Sequence, residues 1–72
     1  MPKVKLTEAQ REVLERCLPH GSSKEHSSRA STVLSLADRG LVTWRWATPI
    51  DWAWVTITPT GREAIAAFQA QS

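Results

Sequence analysis

The side chains with most chemistry to offer are gathered in one stretch, Trp44-Arg45-Trp46-Ala47-Thr48-Pro49-Ile50-Asp51-Trp52-Ala53-Trp54. It holds all four tryptophans of the chain, as two W-x-W pairs either side of a five-residue gap. Indole rings can stack on unpaired bases or anchor a protein interface. They can also fill a core, each burying roughly 150–250 Å². Arg45, between two rings, reads either as a phosphate contact or as a solvated strand residue. A second set is polar: Ser28, Thr32, Ser35 and Arg39 follow i, i+4, i+7 and i+11 spacing, opposite Val33 and Ala37. Hydroxyls and arginines on one helix face suit hydrogen bonds to phosphates or base edges.

Other constellations carry less. Cys17, His20 and His26 would need a fourth ligand to close a structural zinc site, and Glu25 is the only neighbour to supply it, at poor spacing. A buried thiol beside loop histidines is the simpler reading, so no metal and no cofactor are expected. Ser22, Ser23, Ser27 and Ser28 read as a polar loop and helix cap rather than as nucleophiles. No Ser/His/Asp arrangement, phosphate-cradling glycine loop or paired carboxylate can be assembled. The chain is not expected to be an enzyme.

The elements that must position these residues follow from periodicity and punctuation. Thr7 and Gln10 have the form of a capping box, and Val13, Leu14, Cys17 and Leu18 make the apolar face of a helix over 7–18 that Pro19 stops. Residues 19–27 are polar and punctuated by Pro19, Gly21 and serines, which predicts a loop or a short helical turn. A second helix over 28–39 is capped by Ser27 or Ser28, with Ala30, Val33, Leu34, Ala37 and Leu41 as its apolar stripe. Gly40 ends it in the left-handed conformation, and Leu41 folds back on the last turn. Leu41–Trp46 and Trp52–Thr58 are strand-like, giving a hairpin over 41–58. Thr58 caps a last helix over 59–70, with Pro59 in its first position and Ile65 and Phe68 inward. Residues 1–6, with Lys3 and Lys5, form an arm.

A hairpin in which Trp46 faces Trp52 also sets Trp44 against Trp54 and Val42 against Thr56, so all four rings share one face. The other face carries Leu41, Thr43, Ala53, Val55 and Ile57, with Arg45 near the tip. If that face meets the helices, Trp44, Trp46, Trp52 and Trp54 form an exposed apolar patch of the kind that marks an interaction site. Alternatively, one or two rings wrap over the edge of the core.

At 72 residues the chain is a single α+β domain, 1–72. Nine basic against seven acidic residues give a net charge of +2 and a pI near 9.2, which allows nucleic-acid binding without demanding it. One cysteine, Cys17, cannot form an internal disulfide and fits a reducing interior. The opening MPKVKL lacks the apolar run of a signal peptide, and no apolar stretch approaches membrane-spanning length. A cytoplasmic protein without membrane contact is expected.

LTEAQREVLERCL, ASTVLSLADRGLV and VTITPTGREAIAAF together resemble winged helix-turn-helix proteins, especially MarR-like regulators. There a first helix opens with L-T-x-x-Q-x-x-V-L, a recognition helix ends in R-G-L-V, a two-stranded wing follows, and the next helix opens with L-T-P-x-G-R. The resemblance implies a small winged-helix domain with 28–39 as recognition helix and 41–58 as wing. It implies duplex DNA as partner, contacted by Ser28, Arg29, Ser31, Thr32, Ser35 and Arg39, with Arg45 on the wing. The function implied is transcriptional regulation of a bacterial, phage or mobile-element kind. The alternative expectation is a protein-binding module whose Trp face docks on a partner, as in a phage-type inhibitor of a host complex, or on a second copy of the chain.

Overall fold

In the computed structural model, which describes residues 5–47 and 51–71, the chain runs α1 (Glu8–Cys17), β1 (Ser22–His26), a 3-10 turn (Ser27–Arg29), α2 (Ala30–Asp38), β2 (Val42–Ala47), β3 (Trp52–Ile57) and α3 (Pro59–Gln71). It is a small α+β fold, with three helices packed on one face of a three-stranded antiparallel sheet of order β1-β3-β2. Lys3 of the expected arm and residues 48–50 of the hairpin loop lie outside the described residues. Among the described residues no helix is long and apolar enough to cross a membrane.

The helix ends follow local chemistry. Thr7 Oγ1 accepts from the Gln10 backbone N–H at 3.1 Å, and Gln10 Oε1 accepts from the Thr7 N–H at 2.9 Å, a closed capping box. The end of α2 is a Schellman turn: Gly40 has φ +76°, its N–H reaches the Ala37 carbonyl at 2.9 Å, and the Leu41 N–H reaches the Leu36 carbonyl at 3.0 Å. Thr58 caps α3, accepting from the Gly61 N–H at 2.9 Å. Its hydroxyl also donates to the Gly40 carbonyl at 2.7 Å, so the start of α3 is locked to the end of α2.

The core is Val13, Leu14 and Cys17 of α1, Val33 and Leu36 of α2, Leu41, Val42, Val55 and Ile57 at the sheet, and Ile65 of α3. Two expectations for α2 are corrected here. Leu36, not Leu34, is the inward leucine; Leu34 is 49% exposed. Neither Ser27 nor Ser28 caps α2: the His26 ring Nδ1 accepts the Ser28 N–H at 3.1 Å and caps the 3-10 turn, and α2 begins two residues later than expected, with Arg29 in the N-cap position and no side-chain cap bond.

Only residues 19–21 of the segment 19–27 are turn or bend. Ser22–His26 forms the edge strand β1, paired with β3 from Ser22↔Thr56 to His26↔Trp52. Its inward residues are Ser23 and Glu25, so it lacks the alternating apolar signal of a half-buried strand. Glu25 is 1% exposed and is satisfied from two sides, by Arg16 Nη1 at 2.9 Å and by the Ser23 hydroxyl at 2.9 Å. Cys17 Sγ lies 3.4 Å from Ser23 Oγ and 3.6 Å from the Val55 carbonyl.

The hairpin register also differs from expectation by one residue. Val42 pairs with Ile57, Trp44 with Val55, Trp46 with Ala53, and Arg45 with Trp54. A one-residue slip moves every side chain of a strand to the other face relative to its partner. The Trp-on-Trp register would have set Thr43 and Arg45 on the face with Val55 and Ile57, against the core. The observed register buries Val42 instead and leaves Thr43 and Arg45 exposed. The desolvation of a buried guanidinium outweighs the few tenths of a kcal/mol to about 1 kcal/mol that each cross-strand Trp pair could add.

Two expected outcomes test this packing. Helix propensity alone favours Ala over Gly by about 1 kcal/mol inside a helix, yet a Cβ at Gly61 would run into the Leu41 carbonyl oxygen and stand 2.8 Å from Ile57 Cγ1. Gly61→Ala should therefore destabilise the fold by about 1–3 kcal/mol in urea denaturation; a stabilised variant would refute the close approach of α3. Burial pushes the Cys17 thiol above its ordinary value of 9.0; the Ser23 hydrogen bond partly offsets this and the Glu25 charge adds to it. A raised thiol pKa stabilises the fold below the unfolded value and is lost as pH climbs through the folded value. The native chain should lose stability above pH 9 more steeply than Cys17→Ala; parallel pH curves for the two would refute this.

Candidate nucleic-acid interface

The residues expected to face DNA sit on α2, the turn before it and, for Arg45, β2; Ser35 and Arg29 are already engaged with α1, and Ser28 and Arg39 with other segments. Ser35 Oγ accepts from Gln10 Nε2 at 2.9 Å and donates to the Thr32 carbonyl at 2.9 Å. Arg39 Nη1 donates to the Lys5 carbonyl at 2.8 Å. Arg29 Nη1 stands 3.5 Å from Glu12, which is shared with Arg16 at 3.7 Å. Ser28 Oγ is 3.1 Å from the His26 ring. The outward face of α2 is thus Ser31, Leu34 and Asp38, with Thr32 half-buried beside them. Arg29 and Arg39 stand at its two ends. Both remain accessible, and exposed ion pairs such as Arg29–Glu12 contribute about 0–1 kcal/mol, so either guanidinium can be redirected to a phosphate.

The tryptophans do not share a face. Trp44 and Trp46 lie on the helix side of the sheet with Val42, at its rim, and pack edge to face at 5.6 Å. They are 37% and 42% exposed. With Ala30, Val33, Leu34 and Ala53 they line a small apolar cleft between α2 and the sheet. Trp52 and Trp54 project from the opposite, uncovered face, where Arg45 also stands. Leu34 was not legible as a surface residue, because helical spacing fits it to the apolar stripe as well as it fits Leu36.

Lys24 joins Trp52 and Trp54 on that uncovered face, with its ammonium 5.6 Å from one ring centre and 5.7 Å from the other, within cation–π range. The edge of the His26 ring meets the Trp52 ring at 5.1 Å. Lys24 was not expected to belong to a site, and His26 was weighed only as a metal ligand and set aside, since both fall in the segment read as loop. Among the described residues no group of three or more His, Cys, Asp or Glu side chains is placed to hold a metal ion.

Comparison with protein-family models, curated proteins and solved structures finds no match to this chain.

Two of the arginine–glutamate contacts, Arg16–Glu25 and Arg29–Glu12, differ in their surroundings, and so should their variants. Arg16→Ala leaves the buried Glu25 carboxylate without its cation and should destabilise the fold by about 1–3 kcal/mol. Arg29→Ala removes only an exposed pair and should change stability by less than about 0.5 kcal/mol. Chemical denaturation of the two variants decides this; equal losses would show that Glu25 does not depend on Arg16.

Proposed function

We propose that this chain is a small winged-helix DNA-binding protein, a cytoplasmic transcriptional regulator of bacterial, phage or mobile-element type. The observation that carries the reading is topological. α2 leads directly into the β2–β3 hairpin, and α3 follows the hairpin, which is the order of recognition helix, wing and following helix that the resemblance to winged-helix proteins implies. Support also comes from the hydroxyls of Ser31 and Thr32 between the arginines 29 and 39. In this reading the helix face approaches the major groove, the two guanidinium groups hold flanking phosphates, and Arg45 adds a contact from the wing. The helix-turn-helix is abbreviated: the single 3-10 turn Ser27–Arg29 stands where a positioning helix would precede α2.

A second reading is favoured by the cleft of Leu34, Trp44 and Trp46. A second copy of the chain seated there would cover an apolar surface that water now meets. Leu34 lies on the outward side of α2, so occupation of the cleft and insertion of α2 into a groove compete for the same edge of the helix.

One titration separates the two. Backbone amide and indole NMR signals of the full chain are followed as mixed-sequence duplex DNA is added at low and moderate salt. The DNA reading expects shifts centred on residues 28–39 that fade with salt, with Arg29→Ala lowering the slope of log affinity against log salt by about 1. No response from α2 at low salt would sink it. In that event, Trp44 and Trp46 indole signals that change on dilution without DNA would support the second copy.

A further inference from the structure

We infer that the uncovered face of the sheet is a stacking platform for single-stranded nucleic acid, separate from the α2 surface and not dependent on it. The register lays this face out as three rungs across β1, β3 and β2. The middle rung is Lys24, Trp54 and Arg45, a ring with a cation on each side. One rung along β3 stand His26 and Trp52; on the other side stand Ser22, Thr56 and Thr43. The rungs carry no carboxylate, because the acid of β1, Glu25, points into the core. Among the described residues neither Lys24 nor Arg45 forms a salt bridge.

These observations together point to one class of ligand. Trp52 and Trp54, two residues apart on one strand, are spaced by about 6.8 Å, roughly twice the stacked rise of about 3.4 Å per nucleotide. Successive bases of an extended strand can therefore lie one on each ring, which requires bases freed from pairing. Lys24 and Arg45 stand one strand spacing of about 4.8 Å to either side of β3; the Lys24 ammonium, which lies over both rings, swings off them to a phosphate as the bases stack, while Arg45 meets the backbone on the other side. The hydroxyls of Thr43 and Thr56 line an open cleft of ≈ 460 Å³ beside Trp54 and Arg45, which gives the next nucleotide somewhere to sit. Duplex DNA keeps its base faces inside the stack and offers this surface only phosphates. An apolar protein segment would leave both cations without a counter-ion.

The test uses the full chain and labelled oligonucleotides of about 12 nucleotides, within the ~4–16-nucleotide footprint of comparable sheet surfaces. One is oligo-deoxythymidine, one oligouridine and one a duplex, read by fluorescence anisotropy at several salt concentrations. The single strands should bind with a log–log salt slope of about −1.4, for two neutralised phosphates. Trp54→Ala and Trp52→Ala should each weaken that binding roughly 5- to 150-fold. Lys24→Gln should lower the slope by about 0.7, and Trp46→Ala, on the other face, should leave affinity within about two-fold. Trp54→Phe keeps an aromatic face and should retain most of the binding, which guards against a misfolded alanine variant. The difference between the deoxythymidine and uridine arms tells whether DNA or RNA is preferred. No binding of either single strand, or loss on Trp46→Ala equal to that on Trp54→Ala, would overturn the platform. So would single-strand and duplex binding that ignores Trp52 and Trp54 but fails with Arg29→Ala, an outcome that leaves the α2 reading standing.

Discussion

The structure depends on the alternation of β3. Ala53, Val55 and Ile57 are buried and Trp52, Trp54 and Thr56 are exposed, and as the central strand β3 imposes this parity on both neighbours. Residues opposite each other in an antiparallel pair share a face. Val42 therefore goes inward with Ile57 and carries Trp44 and Trp46 to the helix side, while Arg45 goes outward with Trp54. On the other edge the same parity sends Ser23 and Glu25 inward and Lys24 outward. The size of a side chain does not decide its face here; the partner's parity does. A small protein can bury only about 60% of its unfolded surface, so four tryptophans cannot all be accommodated inside.

Bringing Glu25 inward buries a charged group, the one buried polar or charged side chain among the described residues. A buried carboxylate is costly unless paired and hydrogen-bonded, and here Arg16 and Ser23 supply both. The arrangement ties the edge strand to α1 through polar contacts, where α2 and α3 are held mainly by apolar ones. Gln10 plays a related double role: its carbonyl closes the capping box at the start of α1 while its amide reaches Ser35 on α2. Local helix chemistry and the angle between two helices are set by the same side chain. The Thr58 hydroxyl does likewise at the junction of α2 and α3.

These constraints sort the surface into three regions with different chemistry. The outward face of α2 carries Ser31, Leu34 and Asp38, with arginines at its ends. The rim cleft of Leu34, Trp44 and Trp46 is apolar. The open sheet face combines rings with two cations that form no salt bridge among the described residues. The last two draw on residues that look alike in sequence, since all four tryptophans and Arg45 lie within eleven consecutive positions. What separates them is a two-fold alternation along each strand and a register shift of one.

The sequence by itself determined the elements whose signals are local. The Thr7–Gln10 box, Gly40 at the end of α2, and Thr58-Pro59 at the start of α3 act over three or four residues, and their geometry needs no distant partner. The inward faces of α1 and α3 were legible from helical spacing for the same reason. Strand β1 was not, because its inward residues are Ser23 and Glu25, and their burial makes sense only once Arg16 is beside them. Nor was the choice between Leu34 and Leu36, which helical spacing alone leaves open. The hairpin register, and with it the face of every tryptophan, was decided by which pairing lets Val42 into the core and keeps Arg45 out. That comparison involves atoms far apart in the chain, so only the tertiary structure could make it.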